Sequence, residues 1–208
     1  LFFIVDSDDW LTDNALEIIK KWEKTLDNGK EKFAGIAGLK GRKNNTLIGT
    51  TFKSKYIDAT SLERNKYNIR GDKAEIFYTS ILKKYKFPTF QNEKFMNEAY
   101  IWNKLAIDGY KLRWFNEILV ICNYREDGLT KNREKLEMNS PNGFLIYLKQ
   151  LIDVDKNPIK KMAHLSSYVR IAKNIYSNQN IKKQLDISYF RLYKYIAIYK
   201  IRNLWRKR

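Results

Sequence analysis

The feature that most constrains the fold is a short apolar run that ends in a cluster of carboxylates. Residues 1–5, LFFIV, are aromatic and β-branched, which is typical of a buried strand. Three carboxylates follow at once, Asp6, Asp8 and Asp9. Thr12 or Asp13 can then cap a helix. Because strands that lead through polar turns into helices build α/β proteins, we predict an α/β fold for this part of the chain.

The same mixture of strand and helix signals continues to about residue 130. The first helix is predicted to bury Leu16, Ile19, Trp22 and Leu26, which recur at helical spacing. Further segments read, in order, as two strands forming a hairpin around RKNN, a strand that passes into a helix (74–87) stopped by Pro88, an amphipathic helix closed by Gly109, and one or two strands in 111–124. We therefore expect a mixed sheet covered by helices.

After residue 131 the strand signals fade and apolar residues recur at helical spacing. Three helices are predicted, at about 131–151, 158–177 and 180–206. The expected organisation is a mixed α/β domain in residues 1–130 followed by a basic helical region in residues 131–208.

Composition restricts the partners and the compartment. The formal net charge of +17, from 40 Lys and Arg against 23 Asp and Glu, favours polyanionic partners such as nucleic acid, anionic lipid or phosphorylated substrates. Cys122 lies in an apolar run and is predicted to be a small core residue, in a chain suited to a reducing compartment. The sequence contains no apolar stretch long enough to span a membrane.

The carboxylate cluster has two interpretations. Side chains alternate along a strand, so Asp6 and Asp8 would emerge on the same side, where two close carboxylates favour a divalent cation between them. Mg²⁺ commonly binds one or two carboxylates together with phosphate oxygens and waters. The simpler interpretation is a solvated turn whose aspartates cap the following helix.

Two other acidic motifs fit poorly. An EF-hand loop beginning at Asp6 would place Leu11 at the position that requires glycine for a sharp turn. A phosphatase similar to the haloacid dehalogenases would use Asp6 as the nucleophile and Asp8 as the acid/base. That family expects Thr or Val where Trp10 stands, and a later acidic residue where Ile76 stands.

The segment FFIVDSDDWLTDNALEII resembles the D-x-D region of family 2 glycosyltransferases, which have the GT-A fold. Residues 93–130 resemble the acceptor half of the same family, in which an acidic residue opens a helix that is followed by a strand and a Tyr-Arg loop. The resemblance covers roughly residues 1–131. It implies a Rossmann-like mixed sheet that is incomplete at the N-terminus and followed by a helical segment.

The resemblance also implies an inverting, metal-dependent sugar transfer from a nucleotide-diphosphate sugar. Asp8 and Asp6 would hold Mg²⁺ or Mn²⁺, which withdraws electrons from the departing diphosphate. Asp6 would also support the donor, and Asp9 would brace the site. Glu98 would be the general base that deprotonates the acceptor hydroxyl, although a glutamate in a first helical turn can simply favour the helix dipole.

The resemblance suggests further contacts to donor and acceptor. Arg125 would clamp the diphosphate, assisted by Thr130 or Lys131. The acceptor-side candidates are Glu93, Trp102 and Trp114, although aromatics at such spacing commonly belong to a core. The only histidine, His164, is interpreted as a structural or surface residue.

The family pattern begins with a nucleotide-binding strand and loop that this chain does not contain, so the fragment by itself is expected to be inactive. The acceptor would be a glycan or a polyprenyl-linked molecule in bacterial surface polysaccharide assembly. Residues 187–208 carry seven Lys or Arg, no acidic residue and six aromatics. This composition fits an anionic membrane surface, although the helix could instead pack on the catalytic domain. We expect a cytoplasmic protein, peripheral at the inner face of the plasma membrane; a basic nucleic-acid-binding module is the alternative.

Overall fold

The computed structural model describes residues 1–26, 31–44, 46–123 and 133–206, with side chains except at 133–134 and 198–206. The chain divides into two compact units. The first, the sheet unit, contains residues 1–86 and 101–128. The second, the helical unit, contains residues 87–100 and 129–208. Residues 87–100, which were predicted to belong to the α/β domain, group with the helical unit.

The sheet unit has a mixed α/β structure. Its strands are β1 (Phe2–Phe3), β2 (Trp10–Leu11), β3 (Phe33–Arg42), β4 (Tyr56–Ala59), β5 (Lys73–Phe77) and β6 (Lys111–Cys122). Its helices are α1 (Ala15–Glu23), α2 (Thr79–Leu82) and α3 (Ala99–Ile107), the last of which begins in the helical unit, and a short 3-10 turn spans Ser61–Glu63.

The described strands form one curved mixed sheet in the order β1-β5-β3-β6. β3 and β6 are parallel, and the far side of β6 pairs antiparallel with β4 near its start and with β2 near its end. This arrangement confirms the predicted α/β class. The five apolar residues at the N-terminus are not a buried strand, however. β1 is a two-residue strand at the end of the sheet order, and Leu1 and Phe2 are exposed.

The core of the sheet unit lies between α1 and the sheet. The Trp22 ring stacks on Phe115 at a centroid distance of 4.8 Å. The helix begins at Ala15 after Asn14, whereas the Thr12 hydroxyl donates to the Ile118 carbonyl and ties the preceding loop to β6. Leu16, which was predicted to be buried, is 71% exposed. α1 buries Ala15 and Ile18 in its place, because the sheet contacts the helix along a stripe rotated from the predicted one.

Several local predictions are confirmed. β5 passes into α2, α3 ends near Gly109, and β6 is one long strand, although α2 ends at Leu82 and does not continue to Pro88 as predicted. Gly109 has a φ of +84°, and its N–H donates to the Ala106 carbonyl. This left-handed conformation is the usual role of glycine after a helix. The predicted hairpin is reduced to β3 and an isolated antiparallel bridge between Gly41 and Leu47.

The helical unit contains five helices within the described residues, whereas three were predicted. They are α4 (Arg133–Asn139), α5 (Pro141–Val154), α6 (Pro158–Ala172), α7 (Asn178–Leu185) and α8 (Tyr189–Arg206). Pro141 starts α5 because proline disfavours helical geometry at the residue before it. Asp186 separates α7 from α8 with a left-handed φ of +50°. The apolar core of this unit includes Leu148, Val169 and Leu192.

Candidate functional site

The acidic segment lies at the carboxyl end of the parallel strand pair in the sheet unit. β3 and β6 end side by side, with Arg42 opposite Cys122. On the other side of β6, β2 runs antiparallel with Trp10 opposite Ile121. The residues just before β2 therefore lie beside the end of β6. Open α/β sheets commonly bind ligands at the carboxyl ends of their strands.

The D-x-D residues lie in a turn. β1 ends at Phe3, and the Asp9 N–H donates to the Asp6 carbonyl at 3.0 Å, which closes a turn through Ser7 and Asp8. We predicted that Asp6 and Asp8 share one side of a strand. This prediction is wrong, because β1 ends before both residues. The turn itself keeps both residues within one tight bend.

Asp9 holds this turn against β6 through hydrogen bonds. Its carboxylate accepts hydrogen bonds from the Cys122 thiol at 3.1 Å and from the Asn123 backbone N–H at 3.2 Å. Burial and the hydrogen bond to Asp9 raise the pKa of Cys122 to about 12, so the thiol stays protonated at neutral pH. The geometry gives Asp9 a bracing position and places Cys122 in the core as predicted.

Asp6 and Asp8 differ from Asp9 in their hydrogen bonding. Asp6 is exposed and Asp8 is half-buried. Across residues 1–26, 31–44, 46–123 and 133–206, no hydrogen bond joins either carboxylate to another group. A carboxylate without protein donors retains its lone pairs for a cation or a ligand. Within the described part of the chain, the turn therefore offers one exposed and one half-buried carboxylate without a hydrogen-bond donor.

Lys40 is a charged residue of the site that the sequence analysis missed. It is 8% exposed, and its ammonium donates to Asp72 Oδ2 at 2.9 Å. Burial by itself would lower the pKa of Lys40, but attraction and hydrogen bonding from Asp72, with smaller effects of Cys122 and Asp6, raise it. A fixed positive charge thus acts on Asp6. The signal in the sequence was a lysine within the otherwise apolar run FAGIAGLKG.

A basic pocket of about 250 Å³ lies at the same end of the sheet. It is lined by Arg42, Lys43, Asn44, Cys122 and Asn123. The Lys43 ammonium lies 5.1 Å from the centre of the Trp10 ring, a cation–π distance. Since Asn123 also binds Asp9, the pocket wall adjoins the acidic turn. Cationic side chains beside carboxylates suit a ligand that carries both phosphate groups and a bound metal ion.

The residues present fit a metal site completed by a substrate. Among the described residues, no group of three or more His, Cys, Asp or Glu side chains is close enough to hold an ion. Mg²⁺ typically takes one or two carboxylates and completes its shell with phosphate oxygens and water. Asp6 and Asp8 could supply the protein ligands of such a site, with the remaining positions left to the ligand.

Glu98 lies immediately before α3, in the helical unit. The neighbouring Asn97 side chain accepts a hydrogen bond from the Ala99 N–H at 2.9 Å, which satisfies a donor at the helix start. Glu98 is exposed. Its predicted position at the beginning of a helix is confirmed, and its role as a base stays a prediction.

The acceptor-side candidates make contacts that stabilise the fold. The Glu93 carboxylate accepts hydrogen bonds at 2.8 Å from the backbone N–H groups of Asn142 and Gly143, and therefore caps α5. Trp102 is buried and stacks on Phe77 with centroids 4.1 Å apart. Trp114 is 1% exposed and donates to the Ala59 carbonyl. Both rings lie in the core, so neither provides an exposed face for a sugar.

The remaining residues predicted from the sequence are Arg125, Thr130, Lys131 and His164. Arg125, Thr130 and Lys131 lie outside the described residues. His164 lies in the helical unit with Nε2 3.3 Å from Asp155 Oδ2, which agrees with a structural interpretation. Comparison of the chain with protein-family models, curated proteins and solved structures finds no match in any of the three.

Proposed function

We propose that this chain is part of a metal-dependent glycosyltransferase of the GT-A type, similar to family 2. The observation that carries the proposal is the acidic turn. It holds two uncommitted carboxylates, Asp6 and Asp8, at the carboxyl ends of β3 and β6 and next to a basic pocket. A nucleotide-diphosphate sugar matches this combination because its diphosphate can bind a divalent cation and cationic side chains together.

In the proposed site, Asp8 and Asp6 hold Mg²⁺ or Mn²⁺ together with the donor diphosphate. When bound, the ion stabilises negative charge that develops on the leaving diphosphate. Asp9 keeps the turn against β6 through Cys122 and Asn123. Lys40 is held by Asp72, and Asp6 makes the smallest contribution among the effects that raise the pKa of Lys40.

The proposed reaction is a single displacement. Glu98 takes the proton of the acceptor hydroxyl as the hydroxyl oxygen bonds to the anomeric carbon. The bond from that carbon to the diphosphate breaks, and its electron pair leaves with the nucleotide, which inverts the anomeric configuration. Arg125 and Thr130 are proposed to bind the diphosphate.

The proposed acceptor is a glycan or a polyprenyl-linked molecule, and the proposed pathway is bacterial surface polysaccharide synthesis at the cytoplasmic side of the membrane. Among the helices in the described part of the chain, none has the length and apolarity needed to cross a bilayer. A peripheral location would bring a cytoplasmic donor and a lipid-linked acceptor to the same enzyme.

The decisive experiment measures Mn²⁺ binding to the purified chain by electron paramagnetic resonance, with and without UDP or GDP. We expect the nucleotide to increase Mn²⁺ binding, because diphosphate oxygens complete the coordination shell. Asp8→Asn should weaken this ternary binding by at least about tenfold, since losing even supporting groups of a metal site has effects of that size. Asp13→Asn, an exposed aspartate of the same segment, is the matched control and should bind normally.

Three results would contradict the proposal. Equal weakening by the Asp13 variant would show a diffuse charge effect. An acyl-phosphate trapped on Asp6 would favour the phosphatase interpretation. Metal-independent binding of RNA or DNA that disappears at high salt, without nucleotide-dependent Mn²⁺ binding, would favour the nucleic-acid module.

A further inference from the structure

The first turns of α8 expose a row of aromatic side chains. Phe190 is 80% exposed, Tyr193 is 56% exposed and Tyr189 is 44% exposed. On the same helix, Leu192 and Ile196 are buried in the core of the helical unit. With 3.6 residues per turn, the two tyrosines lie next to these buried positions, and Phe190 lies on the far side of the helix from Leu192. The exposed row therefore extends the apolar surface of α8 beyond its buried stripe.

The three aromatic residues lie on one side of the helix. Positions 189 and 193 are one turn apart and position 190 lies three residues before 193, so the three side chains span about 100° of the helix surface. The Tyr189 and Tyr193 rings stack at a centroid distance of 6.4 Å. We call Tyr189, Phe190 and Tyr193 the aromatic face. It combines one fully apolar ring with two rings that carry a polar hydroxyl.

Basic residues surround the aromatic face. The Lys182 ammonium of α7 lies 4.8 Å from the Tyr189 ring centre. Lys183, Arg191 and Lys194 are exposed nearby in the sequence, and Asp186 is the acidic residue of this stretch. From Ile187 to the last residue the sequence contains no further carboxylate. The surroundings thus favour an anionic partner.

We propose that the aromatic face binds the surface of an anionic lipid bilayer, with α8 lying in the plane of the interface. Tyr and Phe rings partition to the level of the headgroups, and Lys and Arg beside them attract acidic headgroups. A second copy of this chain is a poorer partner, because two such faces would bring like charges together. Single-stranded nucleic acid usually follows a basic groove, whereas this face is the outer surface of one helix.

This proposal is independent of the sugar-transfer chemistry. It assigns a surface and a partner to the helical unit, whereas the proposed metal site lies in the sheet unit. The two proposals can therefore fail separately. An Asp8→Asn chain should bind membranes normally even if its metal binding is lost.

The test is co-sedimentation of the full chain with vesicles of phosphatidylcholine and phosphatidylglycerol in equal amounts, compared with pure phosphatidylcholine. We expect binding to the mixed vesicles. Phe190→Ser should weaken binding by about tenfold or more, since burial of one aromatic ring accounts for at least that factor. Arg191→Glu combined with Lys194→Glu should have a similar effect, about tenfold or more, through lost headgroup attraction.

The matched control is Leu16→Ser, which changes an equally exposed apolar residue of the sheet unit. We expect it to bind vesicles within about twofold of the unchanged chain. Circular dichroism checks that every variant folds. Because positions 190, 191 and 194 are exposed, their substitution should leave the helical signal intact.

Several outcomes would overturn the proposal. Equal binding to both vesicle types would remove the preference for anionic lipid, and equal loss in the Phe190 and Leu16 variants would remove the role of the aromatic face. Complete displacement by millimolar inorganic phosphate would indicate a simple phosphate site. Nucleic acid would be the partner if a single-stranded oligonucleotide displaced the chain from the vesicles and if Phe190→Ser also weakened binding of that oligonucleotide.

Discussion

The two units of this chain place charge in different ways. The sheet unit buries charged side chains within its sheet, including Lys40, Lys73 and Arg113. The described core of the helical unit is chiefly apolar, with the Glu137–Arg170 pair at its border. A buried charge must be held by partners on neighbouring strands. The sheet unit thus positions several buried charges, whereas in the described part of the helical unit Glu137 is the buried charge and most other charged side chains are exposed.

The difference follows from the geometry of the elements. Adjacent strands offer carbonyls and side chains at fixed register, so a buried cation can find several acceptors. The Lys73 ammonium of β5 instead uses acceptors in the loop that follows β3, since it lies 3.3 Å from the Ile48 carbonyl and 3.2 Å from the Thr50 carbonyl. Helices satisfy their own backbone groups and offer few acceptors to a neighbour. The contrast leads to three predictions, in order of decreasing effect.

The largest effect is expected for the buried ion pair in the sheet unit. Arg113 makes two hydrogen bonds to the Asp58 carboxylate, at 2.8 and 2.6 Å, and a third to the Thr25 carbonyl. Arg113→Met should lower the free energy of unfolding by about 3–5 kcal/mol, because it leaves Asp58 charged and half-buried without its partner. Urea denaturation measures this change.

The double variant Arg113→Met with Asp58→Leu is the control for that prediction. It removes both charges, so it should recover most of the lost stability. If the double variant is no more stable than the single one, the loss is due to packing of the long arginine stem, and the pair does not explain the stability of the sheet unit.

The second prediction concerns pH. Burial raises the pKa of Glu75 to about 7, although the nearby Arg64 guanidinium acts in the opposite direction. The folded state therefore binds a proton more tightly than the unfolded state, whose glutamate titrates near 4.5. The stabilisation by the proton on Glu75 is fully present below pH 4.5 and is lost as the pH rises through 7. It amounts to on the order of 3 kcal/mol.

Thermal unfolding between pH 4 and pH 8 measures this contribution, and Glu75→Gln should flatten the pH dependence. Lys73 supplies an internal comparison. Burial lowers its pKa to about 8, so its destabilising effect is present below pH 8 and disappears as the pH rises towards 10.5. An unchanged pH profile in the Glu75 variant would contradict the assignment to this carboxyl group.

The smallest effect is expected at a helix start in the helical unit. The Asn157 side chain accepts hydrogen bonds from the N–H groups of Ile159 and Lys160, at 3.0 and 3.2 Å. Asn157→Ala should destabilise the chain by about 1 kcal/mol, the usual effect of losing such a cap. Asn157→Asp keeps an acceptor and should be nearly neutral. A loss well above this range would show that surface capping matters as much here as buried charge does in the sheet unit.

Features that depend on neighbouring residues could be predicted from the amino-acid sequence. The end of α3 at Gly109, the passage from β5 into α2 and the burial of Cys122 follow from local conformational preference and local hydrophobicity. The α/β class and the position of Glu98 before a helix were predictable for the same reason. The acidic turn was visible as a candidate site because carboxylates beside an apolar run are conspicuous in any context.

Features that join distant parts of the chain depend on tertiary packing. It placed residues 87–100 in the helical unit and used Glu93 to cap a helix some 50 residues away in sequence. It buried Trp114 and brought Lys40 to Asp72. It also gave the Asp9 carboxylate a hydrogen bond from Cys122 that the carboxylates of Asp6 and Asp8 do not share. Pairing of strands and packing of units remote in sequence made these choices, and no local pattern encodes them.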